Sequence, residues 1–100
     1  MLQDLHSPAA TDAASETHRH AYNAAFELLD LGWHWDPATF AGIARYGRAG
    51  VKSWLEQERP HLLKAYSAEF LVDAIEATQA RCLAAYRHQQ AKQAPARLAA

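Results

Sequence analysis

The stretch from Tyr22 to Asp36, YNAAFELLDLGWHWD, constrains the fold more than any other part of the chain. Tyr22, Ala25, Phe26 and Leu29 fall at i, i+3, i+4 and i+7, the spacing of one buried face of a helix. Asn23, Glu27 and Asp30 fall on the opposite side, and His18 sits one turn earlier at the edge of the buried face. Gly32 then supplies the left-handed residue that ends a helix without a Cβ penalty. Asp36-Pro37 starts the next one, because the carboxylate accepts from free backbone N–H groups and proline at the first helical position loses nothing. Between stop and start lie Trp33, His34 and Trp35. At least one indole is expected to plug the end of a bundle, with its N–H reaching a partner.

The rest of the chain reads the same way. Half of its residues are hydrophobic, but 23 of those 50 are alanine, the best helix former. A second helix is expected from Pro37 to about Tyr46, with Phe40, Ile43, Ala44 and Gly47 on one face. Gly47-Arg48-Ala49-Gly50 reads as a turn, with Gly50 permitting a tight reversal. A short helix from Val51 to Arg59 buries Val51, Trp54 and Leu55. Pro60 interrupts it, and Leu62, Leu63 and Tyr66 make a further turn or two. Ser67 caps the last helix, Ala68 to about Gln90, whose stripe is Leu71, Ala74, Ile75, Thr78, Cys82, Ala85 and Tyr86. The start of the first helix is placed at Ser15 or Thr17. The expectation is an all-α protein: a compact bundle of four to five helices over residues 15–93, with disordered tails at 1–14 and 94–100.

Charge limits the function classes. The net charge is −1, so there is no global field for nucleic acid or an acidic membrane. Its distribution is uneven: residues 1–36 carry six acids against Arg19 alone, and residues 77–100 carry Arg81, Arg87, Lys92 and Arg97 with no acid. The N-terminal residues have no basic and apolar signal pattern, no stretch is long enough to span a bilayer, and Cys82 is the only cysteine. A soluble cytoplasmic protein is the expectation.

The chemistry-bearing residues do not form a constellation at workable spacing. His18 and His20 diverge by roughly 200° on a helix; His34, His61 and His88 stand apart, and zinc pairs on a helix need i, i+3 or i+4. Cys82 lies mid-helix on an apolar stripe, where a thiol is structural. Glu56 with Glu58, and Asp73 with Glu76, read as solvated surface. No cofactor, metal or catalytic residue is therefore expected. A basic turn at Arg45, Arg48 and Lys52, with Tyr46 and Trp54 nearby, is the one candidate for a phosphorylated ligand or nucleic acid. Glu56 and Glu58 on the following helix count against nucleic acid.

Residues 18–40, HRHAYNAAFELLDLGWHWDPATF, resemble the first two helices of the cap subdomain in CbbY/phosphoglucomutase-like haloacid-dehalogenase hydrolases. The likeness is carried by Tyr22-Asn23-Ala24-Ala25-Phe26, Gly32, Trp33-His34-Trp35-Asp36 and Phe40. That family's nucleophile is a DxD motif in an α/β core, and this chain has no DxD. The resemblance therefore implies cap-like helical geometry without phosphatase activity. The full-length pattern is also similar to small helical proteins of proteobacteria, which implies no activity. The functional expectation is a non-catalytic bacterial protein acting through protein–protein contacts, with a protein partner or itself as a homodimer. Trp33, Trp35 and Trp54, if exposed, would mark the interface.

Overall fold

The computed structural model describes residues 8–99, and side-chain environments for residues 14–90. The described chain is helical and contains no strand. Helix α1 spans Pro8–Leu28, α2 Pro37–Ala44, α3 Gly47–Glu58 and α4 Ala68–Ala99, with a 3-10 turn at Pro60–Lys64 between α3 and α4. Helices α1 and α4 form a long antiparallel hairpin. Tyr22 meets Glu76, Leu29 and Leu31 meet Leu71, and Arg19 and His20 lie beside Tyr86. Helices α2 and α3 pack against this hairpin as a shorter second pair.

The core joins all of these elements: Phe26, Trp33, Trp35, Phe40, Ile43, Val51, Leu55, Leu71, Val72 and Ile75. Most of it falls on the faces expected from helical spacing. Ala21, Val72 and Gln79 are buried as well, while Ala85 is exposed and Cys82 and Tyr86 are half-buried. The buried stripe of α4 thus rotates toward Val72 and Gln79, because two elements, the α1 helix and the α2–α3 pair, press on it from different sides.

The helix ends show where local rules held and where they shifted. Asp36 accepts from the Thr39 backbone N–H at 2.7 Å, with Pro37 at the first position of α2. Ser67 Oγ accepts from the Phe70 N–H at 3.0 Å at the start of α4, with Glu69 in the first turn. The end of α1 differs from expectation. Its left-handed residue is Asp30, at φ 58°. The Leu31 N–H donates to the Phe26 carbonyl at 2.9 Å and the Asp30 N–H to that of Glu27 at 3.1 Å, a Schellman closure. Gly32, at φ 85°, serves the following loop residue instead.

The turn after α2 is also displaced from Gly47–Gly50. It lies at Arg45–Gly47, with Gly47 at φ 57°, and Gly50 is already inside α3. Gly50 is needed for close approach rather than reversal: a Cβ there would sit 2.2 Å from the Ile43 carbonyl oxygen. The expected tails at 1–14 and 94–100 fall largely outside the described side chains, and residues 1–7 and 100 outside the description altogether. The backbone is helical from Pro8 and to Ala99, so Ser15 and Thr17 lie within α1 rather than at its start. Alanine-rich flanks favour this, since extending a formed helix is far easier than nucleating one.

Candidate functional site

The two tryptophans of the WHW loop are architecture. Trp35 is 1% exposed and Trp33 9%. Trp35 packs edge-on against Phe26 (centroids 4.7 Å) and Trp54 (5.4 Å), and Trp33 lies 5.1 Å from Trp54. Arg59 places its guanidinium 5.0 Å from the Trp33 ring centre and 5.6 Å from that of Trp54, a cation over electron-rich faces. An interface of exposed indoles is thus corrected for Trp33 and Trp35, and Trp54 is half-buried against them. The expected indole partner is corrected too: among the described residues neither the Trp33 nor the Trp35 N–H has an acceptor.

Asn23, assigned to an outer face by spacing alone, holds this loop. The Trp35 N–H donates to Asn23 Oδ1 at 2.7 Å, and Asn23 Nδ2 donates to the Trp35 carbonyl at 3.1 Å. The side-chain amide therefore satisfies both backbone groups of one residue, as a neighbouring strand would. Arg19 Nη1 donates to the same carbonyl at 3.1 Å, while its Nε and Nη2 hold Glu16. That bonding keeps the Glu16 carboxyl below its ordinary range, with Arg19 the main cause. On the loop's outer side His34 Nε2 lies 2.9 Å from Glu27 Oε2. No spacing rule reports such a clamp; Asn23 twelve residues before Trp35 is visible only once the loop has folded back.

The basic turn is largely occupied by the protein itself. Arg48 donates to Asp73 at 2.5 Å and to Glu69 at 3.3 Å, and Lys52 Nζ lies 3.2 Å from Glu69. Lys52 first and Arg48 second hold the Glu69 carboxyl below its ordinary range. The cluster fastens α3 to α4 and cancels most of the field that an anion would meet. Arg45 is exposed in the turn itself, beside an exposed Tyr46. The acidic residues Glu69 and Asp73 that close this cluster come from 21 and 25 residues away, beyond reach of local pattern.

Among the described residues the histidines do not converge. His18 borders a small cavity with Tyr22, Phe40 and Val51, His20 faces Glu16, His34 faces Glu27, and His61 lies in the 3-10 turn. Among the described residues no group of three His, Cys, Asp or Glu side chains could hold a metal ion. A surface depression of about 430 Å³ between Glu27, Asp30, Gly32, Trp33 and His34 is open, with exposed Glu27, Asp30 and His34 beside the buried Trp33 ring.

One surface has a different character. A groove of about 270 Å³ runs between the end of α1 and the start of α4, walled by Leu29, Leu31, Tyr66, Phe70, Leu71, Ala74 and Ile75. Phe70 is 57% exposed and stacks on Tyr66 with centroids 5.7 Å apart; Leu28, at the end of α1, is 70% exposed. Sequence spacing placed Tyr66 in the further turn after Pro60 and Leu71 on the buried stripe of the last helix, and passed over Phe70. The signal was present: Phe70 lies one residue before the buried pair Leu71 and Val72, so all three cannot face one core.

No known protein family, curated protein or solved structure matches this chain. Among the described residues no helix is long and apolar enough to cross a membrane.

Proposed function

We propose that this chain is a non-catalytic helical protein that acts through protein–protein contact, with the groove beside Phe70 as the contact surface. One observation carries the reading. Two aromatic side chains and several leucines line a concave apolar surface that the fold leaves open, with Phe70 57% and Tyr66 49% exposed. Contiguous exposed apolar surface of this kind marks interaction sites in soluble proteins. The tryptophans, which the sequence nominated, pack on Phe26 and on one another instead. The alternative, a phosphorylated ligand or nucleic acid at the Arg45–Lys52 turn, has less support because Glu69 and Asp73 already engage Arg48 and Lys52.

A photoreactive benzoylphenylalanine at position 70 tests the reading in cells, with the same residue at exposed Glu56 on α3 as control. Adducts with a protein, of this chain or another, at position 70 and not at 56 are the expected result. Equal labelling at both positions, or none at 70, would remove the reading.

A further inference from the structure

The outward face of α4 continues from this groove along the helix. Phe70, Ala74, Ala77, Arg81, Ala84 and His88 recur at spacings of four and three, the repeat of a helix–helix seam. All are exposed except Ala74, which is half-buried. The stripe of buried Leu71, Ile75 and Thr78 with half-buried Cys82 and Tyr86 lies on a face turned roughly 120° from it. Thus α4 presents two faces with helix-packing spacing, and among the described residues only one of them is packed against the rest of the chain.

The charges of α4 are segregated along its length. Glu69, Asp73 and Glu76 occupy the first part without a base; Arg81, Arg87, Lys92 and Arg97 occupy the remainder without an acid. Such a helix repels a parallel copy of itself in the basic part and attracts an antiparallel copy at both ends. Antiparallel pairing also aligns the helix macrodipoles favourably. Arg48 and Lys52 approach Glu69 and Asp73 from the α3 side only, and these carboxylates remain 63% and 68% exposed. A carboxylate has about four acceptor positions, so each can take a further cation.

We propose that two copies of this chain pair through the outward face of α4, antiparallel, with the crossing at Ala77. The proposal rests on the contact reading above and names its partner. A two-fold axis at Ala77 sets residue i opposite residue 154 − i. Phe70 then lies against Ala84 of the second copy, so a large side chain meets a small one. Arg81 and Arg87 of the second copy lie along the stretch that carries Glu69 and Asp73. The arrangement is isologous, so each of these contacts occurs twice and the assembly closes as a dimer.

Sedimentation equilibrium and site-directed disulfides test this. The full chain is expected to sediment as a dimer of 11.1 kDa subunits at high concentration, and Arg87→Glu should weaken self-association roughly tenfold, since two symmetric ion pairs are lost, while its helical circular dichroism stays unchanged. In a Cys82→Ser background, Ala77→Cys should oxidise readily to a cross-linked dimer, and Ala84→Cys should not. A parallel pair would bring both positions together, so equal cross-linking overturns the proposal. So does a monomer at every concentration up to about 1 mM, a ceiling at which even a contact worth roughly 4 kcal/mol is half-formed. A monomer that still gives photo-adducts with a different protein at position 70 refutes the second copy while leaving the contact reading standing. Loss of adducts with any protein removes both.

Discussion

The loop around Trp35 and the first turns of α4 both carry aromatic side chains close together, yet they are built oppositely. Around Trp35 nearly everything is determined. Its ring touches Tyr22, Phe26 and Trp54, and both of its backbone polar groups are bonded by Asn23. At Tyr66 and Phe70 the rings stack on each other and then face outward. The first pattern is what a fold requires, since a buried aromatic is worth its area only if the loop's polar groups are satisfied too. The second adds no comparable support to the monomer. An exposed stacked pair that folding does not need is the stronger pointer to a contact made elsewhere.

This contrast can be broken by mutation. Trp35→Ala should be the most damaging change, at about 3–5 kcal/mol, because it empties the centre of the aromatic cluster. Urea denaturation read by far-UV circular dichroism measures it; a loss under about 1 kcal/mol would mean the loop is not the hub. Gly50→Ala follows. Its new Cβ meets the Ile43 carbonyl oxygen, a backbone atom that can move only if α2 and α3 part. Overpacking of this kind costs about 1–3 kcal/mol, and a thermal shift under a degree or two would show that the α2–α3 joint yields to the added methyl.

Asn23→Ala should come next, at about 1–3 kcal/mol, since it strips the Trp35 N–H of its acceptor and leaves one donor fewer on its carbonyl. Amide exchange at Trp35 sharpens the test, because the loop should open without the rest of α1 melting. Unchanged protection there would show that packing alone holds the loop.

The ion pairs at the other end should be weaker and pH-dependent. Glu69 is held below its ordinary range by Lys52 and Arg48, and Glu16 by Arg19; Asp36 is held low by the Thr39 N–H. Groups with a depressed folded pKa bind more protons when unfolded, so stability rises with pH across that window. Their contribution is present at neutral pH and is lost as pH falls below about 5 through the folded values. A flat urea midpoint between pH 6 and pH 3 would contradict it. Because all three carboxylates lie at the surface, 1 M salt should flatten the slope.

Much of this architecture was legible in the sequence because it depends on residues close together in the chain. The Asp36-Pro37 and Ser67 starts, the α1 face through Phe26, and the pause at Pro60 are all local. Departures arose where two elements meet. Asp30 took the left-handed position because Leu31 had to turn inward one residue earlier than Gly32 allowed. Gly50 is small because Ile43 of another helix passes beside it. Asn23 and the Arg48–Glu69–Asp73 cluster join residues 12 to 25 positions apart, and no spacing rule reaches that far. The candidate surface was the least legible, since exposure of Phe70 follows from which neighbouring residue of α4 faces the core.

Phe70→Ala should have the smallest effect on the folded monomer, within about 0.5 kcal/mol, because the ring is more than half exposed and leaves no buried cavity. Its value depends on concentration. At low micromolar protein its urea midpoint should coincide with that of the unmodified chain. At several hundred micromolar the unmodified chain should gain stability by mass action from self-association and the variant should gain less, so the two curves separate. If Phe70→Ala instead costs as much as Trp35→Ala at low concentration, the stacked pair belongs to the fold after all, and the contrast between the two aromatic regions is lost.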